Sequence, residues 1–383
     1  MNHDFDYVLL GGGLANGLIA LALLARHPTP RVALIEQGST VGGNHTWSFH
    51  ESDLRPTERE LVEPLVRRRW PSYDVFFPSR ERRISRGYAA CDGSRLHRVV
   101  TERFARAAAS ELLLESRVEI AEGNAVQLCD GRVLRAEVVL DGRGLGSSDL
   151  PVVHRGGYQK FLGLELELDD VSSSAVPVLM DARVAQTDGY RFVYVLPFSK
   201  TRVLVEDTYY SLAPELDRER ARSRVLEFAE SRGYRVSSVI REEHGVLPIP
   251  THSASAPSSA GIPVGMRAGW FHPTTGYSLP TAARFAERCA QCSAADLPQI
   301  AREFSRKHEQ QAGFARFLNR LLFRAFAPSD RRHVMERFYG LPEDVIARFY
   351  AMQSTALDRA QILFGRPPRG FSIGQMLLGD AAT

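Results

Sequence analysis

The chain has 383 residues, of which 44% are apolar and 24% are charged, as in globular proteins with roughly two to three domains. Its 48 Lys and Arg residues nearly balance 45 Asp and Glu residues, which argues against nucleic acid as a partner. The four scattered cysteines are not typical of a disulfide framework or a metal site, and the sequence has no apolar run long enough for a membrane-spanning helix. We expect a cytoplasmic protein, because no secretory signal opens the chain.

The first 36 residues predict a strand, a glycine turn, a helix and a second strand. The apolar run 7–10 stops at glycines, residues 14–24 are almost wholly Ala and Leu, and the apolar run 31–35 ends at Glu36. Two strands joined by a helix over so short a stretch are typical of a βαβ unit, in which the strands are parallel and the crossover is right-handed.

Further along, the pattern predicts helices over 57–69 and 94–109, a strand over 73–77 and three short strands over 112–120, 125–129 and 133–141. Strand-like alternation then runs from 157 to 250, interrupted by a helix over 215–232, and residues 282–365 are mainly helical. We therefore predict an α/β fold with three parts. These are a Rossmann-like nucleotide-binding domain (1–70, 92–150 and 262–300), an inserted, mainly β substrate domain (71–91 and 151–261) and a helical C-terminal region (301–383).

The glycine turn predicts a phosphate-binding site. Gly11 and Gly13 permit a tight turn in which backbone N–H groups approach a pyrophosphate, and the helix that follows adds partial positive charge. Glu36 stands where a carboxylate accepts hydrogen bonds from a ribose diol. Asn16, followed by Gly17, replaces the third glycine of the usual pattern. A plain strand–turn–helix without a nucleotide is the simpler alternative.

Asp141 and Gly142 close an apolar strand and provide the second indication of a nucleotide. Such an acidic–glycine pair leads back toward the cofactor in flavoproteins of this build. The chain carries no second glycine fingerprint for a tightly held nicotinamide nucleotide. We therefore predict that FAD, and not NAD, is the resident cofactor.

Longer motifs resemble those of the bacterial lycopene β-cyclases of carotenoid synthesis. They lie between about residue 8 and about residue 350, and the unusual Asn16 belongs to the same family pattern. The stretches that carry the resemblance are 11–20, 42–50, Asp181 with 188–194, 206–208, 271–280 and 337–343.

The resemblance implies a flavoenzyme whose reaction is redox-neutral. Its substrate would be linear lycopene, closed at each end to a β-ionone ring to give β-carotene through γ-carotene. The family requires FAD in its reduced form, with NADPH as external reductant, although no net electrons move. The implied fold is akin to that of aromatic hydroxylases and geranylgeranyl reductases.

Ring closure requires an acid that is undissociated at neutral pH, because an alkene is a very weak base. Because side chains alternate between the two faces of a strand, Glu206 shares one face with Leu204 and Thr208, and its neighbour Asp207 lies on the other face. Glu206 and Asp207 are the candidate catalytic acids, and the resemblance favours Glu206. The alternative for each of the two residues is a structural role, as an acidic side chain that is half buried in the strand and hydrogen-bonded. The reduced flavin is another candidate proton donor.

The loop 271–280 is the remaining cofactor element. Pro273 and Gly276 fit a turn against the flavin, whereas Trp270 stands where related flavoproteins carry an Asp. Six residues are candidates to line the flavin or the polyene, and simple packing explains each of them about equally well: His45, Trp47, Tyr190, Phe192, Tyr194 and His272.

Lycopene is a hydrocarbon dissolved in lipid, so the resemblance implies peripheral association with the inner face of the cell membrane. Residues Phe314–Phe326 predict an amphipathic helix with arginines opposite an apolar side, which is typical of such contacts and also of packed surface helices. Contact with other carotenoid enzymes is a further expectation. Two alternatives remain: an FAD-dependent monooxygenase or polyene reductase of the same fold, and a flavin-binding carrier or sensor.

Overall fold

A computed structural model describes residues 3–26, 29–145, 156–169, 175–253, 261–364 and 369–371. The helices in these ranges are α1 (Leu14–Arg26), α2 (Pro56–Val62), α3 (Gly93–Phe104), α4 (Arg218–Ser231), α5 (Leu279–Ala290), α6 (Leu297–Arg324), α7 (Arg331–Phe338), α8 (Glu343–Tyr350) and α9 (Ala356–Leu363). The strands are β1 (Phe5–Leu10), β2 (Val32–Ile35), β3 (Thr46–His50), β4 (Val66–Trp70), β5 (Tyr73–Phe77), β6 (Arg80–Ile84), β7 (Tyr88–Asp92), β8 (Glu111–Leu113), β9 (Val118–Glu122), β10 (Ala125–Leu128), β11 (Val133–Asp141), β12 (Gly156–Leu168), β13 (Val178–Asp181), β14 (Tyr190–Pro197), β15 (Arg202–Ser211), β16 (Val236–Pro250) and β17 (Ile262–Pro263).

The first sheet confirms the predicted βαβ unit and the α/β class. Its strand order is β8-β2-β1-β11-β10-β9, and β17 pairs with β11. Strands β1, β2 and β11 run parallel at its centre, and α1 crosses from β1 to β2. Both faces of β1 are covered, which explains why its apolar residues form a run rather than an alternation.

The second sheet is mostly antiparallel, in the order β16-β12-β15-β14-β13-β5-β6. Its alternating side chains separate two environments. Leu164, Val193 and Val205 on one face pack against Val225 of α4, whereas residues of the opposite face, among them Phe192 and Glu206, line a large cavity.

A small third sheet, β3-β7-β4, corrects one sequence prediction. The helix expected over 57–69 ends as α2 at Val62 and is followed by a 3₁₀ turn, Glu63–Leu65. Pro64 lacks the N–H that a continuing helix needs, and residues 66–70 instead pair with β7.

The C-terminal region is helical, as predicted. Helix α6 runs without a break through residue 300, so the predicted border between domain and C-terminal region lies inside a helix. Strands β5 and β6 join the second sheet while β7 joins the third, so the predicted segment 71–91 is divided between two sheets. The three-domain division remains a prediction.

Within the described ranges, no helix is both long enough and apolar enough to cross a membrane.

Candidate functional site

A cavity of about 1070 Å³ extends from the glycine turn of the first sheet to the inner face of the second. One end is lined by backbone and short polar side chains, including 11–13, 36–40 and 142–144. The other end is lined largely by aromatic side chains, with Glu206 among them. A single cavity therefore joins the predicted nucleotide site to the predicted acid.

The glycine turn has the geometry that a pyrophosphate needs. Gly11 has a φ of +85°, which favours glycine. Glu36 fixes the turn, because its two carboxylate oxygens accept hydrogen bonds from the N–H groups of Gly12 and Gly38, each at 2.7 Å. Apart from Gly13 itself and its neighbours along the chain, no described atom lies within 4 Å of the place where a Cβ of Gly13 would be. The start of α1 is thus open to a phosphate, and Glu36 keeps lone pairs for ribose hydroxyls.

Asn16 and Gly17 support this turn from behind. Asn16 is fully buried, and its Nδ2 donates to the carbonyls of Leu10 and Gly11 at 2.8 and 2.9 Å. Gly17 packs against Leu96 of α3, where a Cβ would come within 3.0 Å. Neither residue lines the cavity, so their part in the site is to shape the turn.

Asp141 and Gly142 have different positions at the end of β11. Gly142 lines the cavity, and a Cβ there would lie 2.6 Å from Nδ2 of Asn16. Asp141 is fully buried and pairs with Arg143 at 2.7 Å and with Arg267 at 3.5 Å. Burial opposes its ionisation, but the two guanidinium groups outweigh burial and lower the pKa of Asp141. Asp141 therefore fixes the loop that presents Gly142.

The loop 271–280 contributes only part of what the sequence predicted. Gly276, with a φ of +69°, lines the cavity, whereas Pro273 lines a separate cavity of about 380 Å³. His272 is buried away from the main cavity, between the carbonyl of Phe349 at 3.1 Å and the N–H of Thr274 at 3.1 Å. Burial lowers the pKa of His272 to about 3, so this histidine is neutral and ties the loop to α8.

Of the other residues predicted to line the cavity, His45, Trp47, Phe192 and Tyr194 do so. Tyr190 lies behind them, stacked on Phe192 with 5.4 Å between ring centroids. Burial, and then the charges of Arg241 and His244, lower the pKa of His45.

Tyr210 also lines the cavity. It lies four positions after Glu206, so the alternation of side chains along a strand predicts the same face for both. Other lining residues come from segments far apart in the chain and carried no such signal: Ser48, Tyr88, Gln159, Phe161, Tyr277 and Tyr350.

Two tyrosine hydroxyls at the aromatic end, those of Tyr88 and Tyr194, are hydrogen-bonded to each other. Tyr194 donates to Oγ of Ser48 at 2.6 Å, and its oxygen lies 3.1 Å from the hydroxyl of Tyr88. Burial raises the pKa of both tyrosines. These rings therefore line the cavity as neutral groups.

Glu206 lies in the aromatic end of the cavity wall. Its strand, β15, is flanked by β14 and β12, where Tyr194 and Gly163 are its partners in register. Oε1 accepts a hydrogen bond from Thr208 at 2.8 Å. Burial, followed by the nearby Glu243 carboxylate, raises the pKa of Glu206 to about 8. At neutral pH the site therefore presents a protonated carboxylic acid to the cavity.

Asp207 is on the opposite face of the sheet, as the strand period predicts, and does not line the cavity. It is fully buried and pairs with Nε of Arg191 at 2.7 Å, and it also accepts a hydrogen bond from Tyr209. Burial raises the pKa of Asp207 even though Arg191 acts to lower it. Its placement gives Asp207 a structural role between the sheet and α4, not a catalytic one.

Residues 314–324 form the last part of α6, Phe326 follows just after the helix, and most of the apolar side of the stretch is covered. Phe314 and Leu318 pack against residues of α8 and α9, and Leu322 and Phe326 are buried. Arg316 binds Glu309 at 3.2 Å, and Arg320 donates to the carbonyl of Thr251. The helix therefore lacks the free apolar face expected of a membrane-docking element.

Comparison with known proteins identifies relatives along almost the whole chain. A family model described as "Lycopene cyclase protein" matches residues 6–376. A lycopene beta-cyclase from Pseudescherichia vulneris is 44% identical over 377 residues, covering 95% of this chain and 94% of that protein. A lycopene beta-cyclase from Pantoea ananas is 42% identical over 374 residues, covering 96% of each.

Solved structures share the fold at much lower identity. A geranylgeranyl bacteriochlorophyll reductase-like protein from Thermoplasma acidophilum is similar with a TM-score of 0.63 at 13% identity, covering 99% of this chain and 96% of that chain. BrvH, a flavin-dependent halogenase from Brevundimonas sp. BAL3, has a TM-score of 0.61 at 14% identity, covering 99% of this chain and 92% of that chain. These similarities confirm the predicted architecture.

The structural role of Asp207 leads to a test. We expect Asp207→Asn to lower the free energy of unfolding by about 3 kcal/mol, because Arg191 is then left buried without its charged partner. Urea denaturation measures the change. Asp74→Asn is the matched control, since its pair with Arg83 is exposed on the arginine side and should contribute less than about 1 kcal/mol. Equal losses in the two variants would contradict this role.

Proposed function

This chain belongs to the lycopene cyclase family, and from that premise we propose that it is a lycopene β-cyclase. The proposed reaction closes the ends of linear lycopene to β-ionone rings and gives β-carotene through γ-carotene. The observation that carries the proposal is the protonated carboxyl of Glu206 in an aromatic cavity that also reaches a nucleotide-binding turn. An acid of this kind is what protonation of an alkene requires.

We propose FAD, in its reduced form, as the resident cofactor, with NADPH as the external reductant. The open face of Gly13 and the carboxylate of Glu36 suit a pyrophosphate and a ribose, and Gly142 and Gly276 line the same cavity. Gln159 in the same cavity has a buried Oε1 without a hydrogen-bond partner among the described residues, which suits a donor on the isoalloxazine ring. When bound, the reduced flavin supplies an electron-rich ring that stabilises positive charge in the cavity.

In the proposed mechanism, Glu206 supplies the proton that starts ring closure. Its O–H bond breaks as a C–H bond forms on the terminal trisubstituted alkene, which leaves a tertiary cation. The neighbouring double bond captures that cation and closes the ring. A ring proton then leaves and can return to the Glu206 carboxylate, so that atoms and electrons balance and no oxidant or reductant is consumed.

The aromatic wall protects and stabilises the cation in this proposal. Phe192 and Tyr194 come from β14, the strand next to Glu206, and Tyr210 lies near the end of β15 itself; all three line the cavity. Their π faces can stabilise a carbocation as they do an ammonium group. A close-packed aromatic wall also excludes the water that would quench the cation.

Access to a hydrocarbon substrate requires contact with lipid, so the proposal includes peripheral association with the inner face of the cell membrane. Contact with the enzymes that supply lycopene belongs to the same proposal. The helix around Phe314–Phe326 is not retained as the docking surface, because its apolar side packs inside the protein.

The role of Glu206 gives the first test. Glu206→Gln should lower β-carotene output at least about 100-fold, because the amide cannot act as the acid. Bound flavin should be unchanged, since the residue is far along the cavity from the glycine turn. Expression in cells that accumulate lycopene, with pigment chromatography, measures output, and visible absorbance measures flavin.

Glu242→Gln is the control, because Glu242 pairs with Arg218 and Arg222 away from the cavity. Full output from Glu206→Gln would remove the residue from this role.

The raised pKa of Glu206 also predicts a pH dependence. The neutral acid exists below its pKa and is lost as pH rises, so cyclisation should be constant around neutral pH and fall through a midpoint near pH 8. The rate of ring formation by flavin-reduced enzyme in detergent–lycopene micelles gives the profile. A midpoint near the ordinary carboxyl value would contradict a neutral Glu206.

A redox enzyme of the same fold, such as a monooxygenase or polyene reductase, differs from a cyclase in its use of reductant. We expect ring formation to continue for many turnovers after a single reduction of the flavin, with no further NADPH oxidised. Parallel measurement of NADPH absorbance and β-carotene under anaerobic conditions tests this. One NADPH consumed for each product would instead identify a reductase or, when O₂ is required, a monooxygenase.

A further inference from the structure

A second carboxyl lies beside Glu206 on the cavity side of the sheet. Gly163 on β12 pairs with Glu206 on β15 and with Glu243 on β16, and side chains of residues paired in this way share one face. A Cβ on Gly163 would lie 3.2 Å from Cγ of Glu243 and 3.4 Å from Cβ of Glu206. The same position is 3.3 Å from Cδ1 of Leu204, which fills part of this space. The glycine itself adds no side chain between the two carboxyl residues, so they are neighbours on this face.

The two carboxyls differ in their partners. Oε2 of Glu243 accepts hydrogen bonds from Nη1 of Arg241 at 2.6 Å and from Thr46 at 2.9 Å, and Arg241 also donates to the Thr46 hydroxyl at 2.7 Å. Among the residues that the structure describes, the side chain of Glu206 has only the hydroxyl of Thr208 as a hydrogen-bond partner. When two close carboxyls share one proton, the anion is the one bound by a cation. Burial raises the pKa of Glu243 as well, whereas Arg241 and Thr46 act to lower it. Because Glu243 is the member of the pair that binds a cation, the shared proton belongs to Glu206 and the negative charge to Glu243.

Arg241 is fixed in place and shared with other carboxylates. Its Nε donates to Glu165 at 3.2 Å, and Glu165 in turn binds Arg67 at 3.0 Å. Arg67 also contacts Asp92 at 3.1 Å. The positive charge of Arg241 is thus shared between Glu165 and Glu243, and the guanidinium group donates its hydrogen bonds to these carboxylates.

The other groups that face Glu206 are neutral or lie on the other face. Tyr194 of β14 and Tyr88 of β7 have raised pKa values, and His45 has a lowered pKa. Asp207 on the same strand points to the opposite face and pairs with Arg191. Among the described residues, the Glu243–Arg241 pair is therefore the charged neighbour that distinguishes this acid.

We propose that Glu243 is a positioning residue that keeps the proton on Glu206: its fixed carboxylate, next to Glu206 across Gly163, opposes a second negative charge there. Glu243 is buried and does not line the cavity, so it acts through Glu206 and not on the substrate. The same repulsion favours return of a proton to Glu206 after each ring closure. This inference rests on the proposed acid role of Glu206.

Glu243→Gln tests the inference through the pH dependence of the cyclisation rate, in particular its alkaline limb, where the rate falls as pH rises. We expect the limb to move to lower pH by about one unit or more, which lowers the rate above the midpoint about 10-fold while the rate near pH 6 is retained. Glu243→Asp keeps the charge and should restore the wild-type limb. Glu242→Gln, on the same strand but the opposite face, should leave it unchanged. An unmoved limb in flavin-loaded Glu243→Gln would overturn the inference.

A second measurement does not depend on cyclisation. The protonated-carboxyl band of Glu206 in the infrared spectrum, assigned by its loss in Glu206→Gln, should disappear at lower pH in Glu243→Gln than in wild type. Should Glu243→Gln fail to fold, Thr46→Val removes one hydrogen bond to the Glu243 anion and should shift the band in the same direction by less. A wild type that forms no rings would refute the proposed function, whereas a band unchanged by both variants would refute only this inference.

Discussion

The structure depends on one costly arrangement, an ionisable side chain buried in an aromatic wall without a cation of its own. A carboxylate at the position of Glu206 would lose its hydration and gain only the hydroxyl of Thr208. The group therefore keeps its proton at neutral pH. Three features favour the protonated form over the ionised form of this carboxyl: the cavity wall, the strand register and the neighbouring carboxyl of Glu243. The chemistry proposed for the site therefore follows from burial and not from an unusual residue.

Glu206 and Asp207 show how strongly the surroundings decide the role of a carboxyl. They are adjacent in the chain, and burial raises the pKa of both. Asp207 faces α4 and is held by Arg191 at 2.7 Å, so its contact stabilises the packing of helix on sheet. Glu206 faces the cavity, where its proton is available to a hydrocarbon. A pleated strand that separates a packed face from a cavity face provides both environments within two residues.

The two large sheets give the cavity its two chemically different ends. The parallel sheet presents backbone N–H groups and a helix N-terminus at the glycine turn, where Asn16 and Gly17 hold the turn from behind. The antiparallel sheet presents aromatic rings and the acid. An electron-rich cofactor bound at the first end and a hydrocarbon bound at the second would therefore meet inside one cavity. Neither sheet could provide this alone, because a parallel sheet of this kind is covered on both faces.

The sequence by itself determined the local features: the βαβ unit, the turn with Gly11 and Glu36, and the opposite orientations of Glu206 and Asp207. These follow from periodicity and from the conformations that glycine allows. Tertiary structure decided which segments meet. Pairing with β7 made residues 66–70 a strand. Packing placed His272, Tyr190 and Asp141 behind the cavity and brought Tyr88, Tyr277 and Tyr350 into its wall. The register of β12 with its two neighbours set Glu243 beside Glu206 across Gly163. Periodicity fixes the face that a side chain takes, but only the register between distant strands fixes its neighbours.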